Sequence, residues 1–103
     1  MNLNNIINRI KSINPNIKFV GSFDENNQKT GYWEYYYSNG KIRKKGNYLN
    51  GLEEGYWEIY YNCILRSKGN YVNGIKEGYW EEYWDSKLSD KGIYINGIYN
   101  ELK

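Results

Sequence analysis

Between Tyr32 and Tyr94 the large apolar residues fall on alternate positions, a period of two that predicts β-strands with one apolar face. One face collects Trp33, Tyr35, Tyr37, Tyr48, Trp57, Ile59, Tyr61, Leu65, Tyr71, Trp80, Trp84, Leu88 and Tyr94. The other collects Tyr32, Tyr56 and Tyr79 with glutamates and lysines. The pattern predicts an all-β fold of about eight antiparallel strands in an elongated single-layer meander. Only the start of the chain reads differently. Leu3, Ile6, Ile7, Ile10 and Ile13 recur at helical spacing, Asn2 is a candidate cap and Pro15 a stop. A short amphipathic helix over residues 1–16 is expected, laid over the first end of the sheet.

The strand pattern repeats. Gly-Tyr-Trp-Glu opens at 31, 55 and 78; Lys-Gly recurs at 45, 68 and 91, and Asn-Gly at 50, 73 and 96. A fixed period makes each copy one small unit stacked on its neighbours. The sheet of residues 17–103 thus divides into a half repeat (17–30) and repeats over 31–54, 55–77 and 78–101. The first full copy is one residue longer than the second, and the extra residue falls in the turn Ser38-Asn39-Gly40-Lys41.

Turn chemistry fixes the expected pairing. Asn39-Gly40 predicts a two-residue hairpin, whereas Asn62-Cys63-Ile64 and Asp85-Ser86-Lys87 predict shorter or looser turns. One register then sets Trp33, Trp57 and Trp80 opposite Gly46, Gly69 and Gly92. It also sets Glu34, Glu58 and Glu81 opposite Lys45, Lys68 and Lys91. The Asn-Gly turns pair Leu49 with Leu52, Val72 with Ile75 and Ile95 with Ile98. Counting on from them brings Gly46 beside Gly55 and Gly69 beside Gly78, a two-glycine shelf under each indole.

These units resemble MORN repeats of the bacterial type, Gly-x-Trp-x-x-Tyr-Tyr-x-Asn-Gly followed by Gly-x-Tyr-x-Asn-Gly. Residues 31–40 carry the first half, and 46–51, 69–74 and 92–97 the second. The departures are Asn62-Cys63 and Asp85-Ser86 in place of Asn-Gly, Trp84 in place of Tyr, and Ile93 at a polar site. The resemblance spans roughly residues 17–101. It implies an elongated array of β-hairpins that mediates protein interaction and dimerises, and in some bacterial members an antitoxin-like neutralisation of a partner.

Composition narrows the chemistry. Fourteen Lys and Arg against 12 Asp and Glu leave a net charge of +2, too small to argue for nucleic acid or an anionic membrane. Thirteen Tyr against 2 Phe suit a half-buried sheet whose rings keep one wet end. No histidine is present, so the commonest general base and metal ligand are missing. The one cysteine, Cys63, forms no internal disulfide framework and reads as a turn residue. With no signal-like segment, a cytoplasmic location is expected. Glu34, Glu58 and Glu81 each face a lysine and read as structural pairs rather than a catalytic dyad. No catalytic residue, metal site or cofactor is expected, and the chain reads as a non-enzyme.

The aromatic face reads two ways, as the self-packed core of a thin sheet and as a contact surface. On the second reading Trp33, Tyr35, Trp57, Tyr61, Trp80 and Trp84 bind a partner protein of unknown identity. Homodimers through a sheet edge or this face are expected as well. The alternative is a small molecule, nucleotide or single-stranded nucleic acid on the aromatic groove. Lys41, Arg43, Lys44, Lys45, Arg66 and Lys68 could line a nucleic-acid track, but acidic partners on the same face make nucleic acid the lesser expectation, as is a membrane.

Overall fold

The computed structural model describes residues 18–102. The helix expected over residues 1–16 lies outside them. Eight strands follow in order: β1 (Phe19–Phe23), β2 (Lys29–Tyr36), β3 (Ile42–Leu49), β4 (Leu52–Tyr61), β5 (Ile64–Val72), β6 (Ile75–Trp84), β7 (Lys87–Ile95) and β8 (Ile98–Glu101). They form one open antiparallel sheet in which every strand pairs with its sequence neighbours. Among the described residues there is no helix. The fold class is therefore all-β, a single meander.

The expected register holds within β2–β3, β4–β5 and β6–β7, including all three Trp–Gly and all three Glu–Lys pairings. The ladders between these hairpins depart from it. In β3–β4, Asn47 faces Glu54 and the next pair is Lys45 with Glu58. Gly46 thus stands against Gly55, Tyr56 and Trp57, so the two-glycine shelf does not form. The same bulge separates Ser22–Thr30 from Val20–Glu34, and Asn70–Glu77 from Gly69–Trp80. Its cause is backbone geometry: Gly55 and Gly78 both have φ +78°, a region that side chains avoid.

Each bulge throws its tryptophan backwards. A β-carbon on Gly46 would overlap Cδ2 and Cε2 of Trp57; Gly69 would meet Trp80, and Gly21 would meet Trp33. The indoles therefore cover the glycine of the preceding strand, not the one they face in the following strand. Each indole Nε1 donates to the carbonyl after that glycine: Trp33 to Ser22 at 3.1 Å, Trp57 to Asn47 at 3.1 Å, Trp80 to Asn70 at 3.0 Å. At the last station Gly92 is covered by Tyr99.

The core is the row these rings form. Trp33, Tyr48, Trp57, Tyr71, Trp80 and Tyr94 meet edge-to-face in succession, centroids 5.1–6.1 Å apart. Trp33, Trp57 and Trp80 are each 1% exposed.

The hairpin tips reverse the expectation. Asn62-Cys63 and Asp85-Ser86 are tight two-residue turns, both residues of each at positive φ, matching Asn50-Gly51, Asn73-Gly74 and Asn96-Gly97. The longer first copy makes a three-residue loop. There Tyr37 N–H donates to Lys41 O at 2.8 Å and Gly40 N–H to Tyr37 O at 2.9 Å. Of the Asn39-Gly40 pair only Gly40 has positive φ, +84°.

A second bulge follows each tip, with Arg43, Arg66 and Ser89 as the extra residues. It moves Leu65 and Leu88 off the tryptophan face: they lie opposite Tyr60 and Tyr83 on the charged face. A slip of one residue turns a side chain over.

Candidate interaction surface

The charged face is saturated. Each central glutamate accepts from the tyrosines two residues before and after it: Glu58 from Tyr56 (2.9 Å) and Tyr60 (2.8 Å), Glu81 from Tyr79 (2.9 Å) and Tyr83 (2.8 Å), and Glu34 from Tyr32 (2.7 Å) and Tyr36. The lysines add ion pairs, but to the glutamate of the following repeat: Lys45–Glu58 at 3.5 Å and Lys68–Glu81 at 3.4 Å. Glutamates and lysines alternate across six strands, so Lys45 and Lys68 each have a glutamate on both sides and Lys91 has Glu81 on one.

This network shifts its own titrations. Burial alone would raise the Glu58 carboxyl, yet hydrogen bonds from Tyr60 and Tyr56 and the Lys45 ammonium outweigh it, leaving the group below its ordinary value. Hydrogen bonds from Tyr83 and Tyr79 likewise lower Glu81. Burial and the bond to Glu58 push the Tyr60 phenol well up.

The tryptophan face differs along its length. Of the rings named from the sequence, Trp33, Trp57 and Trp80 are packed into the sheet and Tyr35 is half-buried, donating to or accepting from Tyr48 at 2.9 Å. Tyr61 and Trp84 are 62% and 65% exposed. They end β4 and β6, where the two-residue turns hold both strands out to the tip. Between them, with Asn62, Ile64, Arg66 and Asp85, lies an open depression of about 380 Å³. A second, of about 220 Å³, lies between Tyr61 and Tyr37 beside Ser38 and Asn39. Tyr37 is fixed there by its hydroxyl, which donates to Tyr60 O at 2.9 Å, and by an edge-to-face contact with Tyr61 at 6.3 Å.

Arg66 gives this shelf its charge. As the extra residue of its bulge it lays its guanidinium over the Trp84 ring, 4.7 Å from the centroid. Arg43 and Lys44 sit over Tyr35 in the same way, at 5.6 and 4.7 Å. The pattern extends to the whole sheet. On the tip side of the Glu–Lys row lie Lys18, Lys41, Arg43, Lys44, Arg66 and Lys87 against Glu82, Asp85 and Asp90. On the other side lie Asp24, Glu25, Glu53, Glu54, Glu77 and Glu101 against Lys29 and Lys76. A nearly neutral chain thus has a basic end and an acidic end. The sequence reading missed this because strand reversal, not sequence proximity, gathers the charges.

Among the described residues no group of three His, Cys, Asp or Glu could hold a metal ion. Cys63 is free and exposed. Among the described residues no helix is long and apolar enough to cross a membrane. Comparison with protein-family models, curated proteins and solved structures finds no match.

Proposed function

We propose that this chain is a non-enzymatic protein-interaction module that engages a partner protein at the hairpin tips, through Tyr61 and Trp84 with Tyr37 and Arg66 beside them. The observation that carries the reading is the exposure of two large rings, side by side on a rigid hairpin scaffold, next to an open apolar depression. The rest of the aromatic row is the scaffold's own core. The MORN-type resemblance supports the same class, and with it an antitoxin-like or immunity-like neutralisation of the partner in a reducing, cytoplasmic compartment. A second copy is a further partner on this reading, with β8 as the available edge, because all four of its residues are exposed.

The test is co-purification from the native cell with wild-type protein and with the double variant Tyr61→Ala/Trp84→Ala. The variant should keep the wild-type unfolding midpoint and lose the partner. A folded variant that retains its partner at wild-type yield rejects the reading. Light scattering at micromolar concentration reads the oligomeric state directly.

The depression beside Trp84 also favours a second reading, a small ring-bearing ligand, because its volume lies within the range of small-molecule sites. Calorimetric titration with nucleotides separates the two.

A further inference from the structure

We infer that the basic, ring-lined tip of the sheet docks an acidic peptide segment carrying an apolar anchor, with Arg66 receiving a carboxylate and the Tyr61–Trp84 depression receiving the anchor. The inference rests on the interaction-module reading and names the chemistry of the partner.

Three observations converge on this site. First, Arg43, Lys44 and Arg66 stack on rings, but the cations of the tip form no ion pair among the described residues. The two ion pairs among the described residues, Lys45–Glu58 and Lys68–Glu81, both lie on the opposite face. The tip side carries six cations against three carboxylates, Glu82, Asp85 and Asp90, all three on the β6–β7 side of Arg66, so that from Lys18 through Ser67 it carries five cations and no carboxylate. Second, Arg66 is pre-organised. A guanidinium stacked on an indole keeps its donor edge free for a two-pronged bond to a carboxylate, and part of its conformational freedom is already given up. Third, apolar surface adjoins that charge: Ile64, Tyr61 and the free part of Trp84 line the same depression, with Asp85 at its β6 margin, so the carboxylate of the segment is placed on the Arg66 side and the anchor between the rings.

The same features decide against single-stranded nucleic acid, which would also bring negative charge. Bases need open ring faces to stack on. Here Arg66 takes one face of Trp84, and Arg43 and Lys44 sit over Tyr35, which leaves Tyr61 as the open ring and no row of free faces for successive bases. A carboxylate needs only the outward edge of the guanidinium. A second copy could supply the acid from its opposite end, where Glu53, Glu54 and Glu77 lie; but Glu54 and Glu77 are already accepting from the backbone of Asn73 and Asn96, both at 3.0 Å.

The experiment uses the full chain and three labelled probes followed by fluorescence anisotropy: a short peptide of glutamates around one leucine, its lysine counterpart, and a thymidine oligonucleotide of equal charge. The acidic peptide should bind, weaken steeply with added salt, and lose about ten-fold in affinity with Arg66→Gln. Arg66→Lys should recover only part of that loss, because it keeps charge without the fork. Equal binding of the lysine peptide, displacement by the oligonucleotide at equal concentration, or unchanged affinity in Arg66→Gln overturns the inference. If the acidic peptide fails while the native partner still depends on Tyr61 and Trp84, the partner's chemistry is wrong and the module reading stands. If the native partner is also indifferent to those two rings, both fall.

Discussion

Trp57 faces Gly69 across the β4–β5 ladder but lies on Gly46, on the strand before it. The indole thereby fastens its own hairpin to the preceding one, and its N–H closes on the Asn47 carbonyl beside the bulge.

Gly46→Ala should therefore destabilise the sheet. Replacing glycine in an unstrained strand position commonly stabilises by about 0.4–1 kcal/mol through the unfolded chain. At Gly46 and Gly69 the new methyl would enter the indole, and overpacking of this kind costs about 1–3 kcal/mol. Denaturant midpoints of Gly46→Ala and Gly69→Ala should both fall. An unchanged midpoint would mean that the indole does not rest there.

Tryptophan fluorescence should divide into two populations. Trp33, Trp57 and Trp80 are 1% exposed and Trp84 is 65% exposed, so iodide should quench a minor, red-shifted fraction of the emission. Trp84→Phe should abolish that fraction and leave the unfolding midpoint nearly unchanged.

Stability should fall at both pH extremes. The folded-state values of Glu58 and Glu81 lie below the ordinary 4.5. Their contribution is complete above that value and is lost as pH falls through the lowered ones. The Tyr32 and Tyr60 phenols are raised above the ordinary 10.0 by burial and by their glutamate bonds. Their contribution is complete below that value and is lost as pH rises through the raised ones. Urea unfolding across pH checks both limbs, and Glu58→Gln should flatten the acid limb.

Cys63→Gly and Ser86→Gly should stabilise. Both residues have φ +66° in turns of the type that favours glycine at the second position. Relief of that strain, about 1–2 kcal/mol, is partly offset by the greater freedom of glycine in the unfolded chain. A net gain of about 0.5–1 kcal/mol is expected from each by chemical denaturation.

The fold was legible because its determinants are local. Period-two alternation and Asn-Gly turns specify strands and their pairing, and the Trp–Gly and Glu–Lys registers within hairpins follow from counting. What escaped was each extra residue that counting treats as paired. Gly55 and Gly78 look like ordinary strand glycines, yet their positive φ opens the bulge that sends Trp57 and Trp80 to the preceding strand. Arg66, extra in its own ladder, displaces Leu65 to the charged face and itself reaches Trp84. The candidate surface was half legible. Alternation puts Tyr61 and Trp84 on one face with Trp33, Trp57 and Trp80, and alone it cannot separate a ring that packs inward from one that overhangs the sheet's margin.

At the final station a phenol stands where three indoles stand before it. Tyr99 covers Gly92 but is itself 38% exposed, and β8 adds four residues where its counterparts β4 and β6 add ten. Because each strand is laddered only to its sequence neighbours, a weaker closure opens before a stronger one. The cover is thus uneven along the array, and amides near Tyr94 exchange with solvent sooner than those around Trp57.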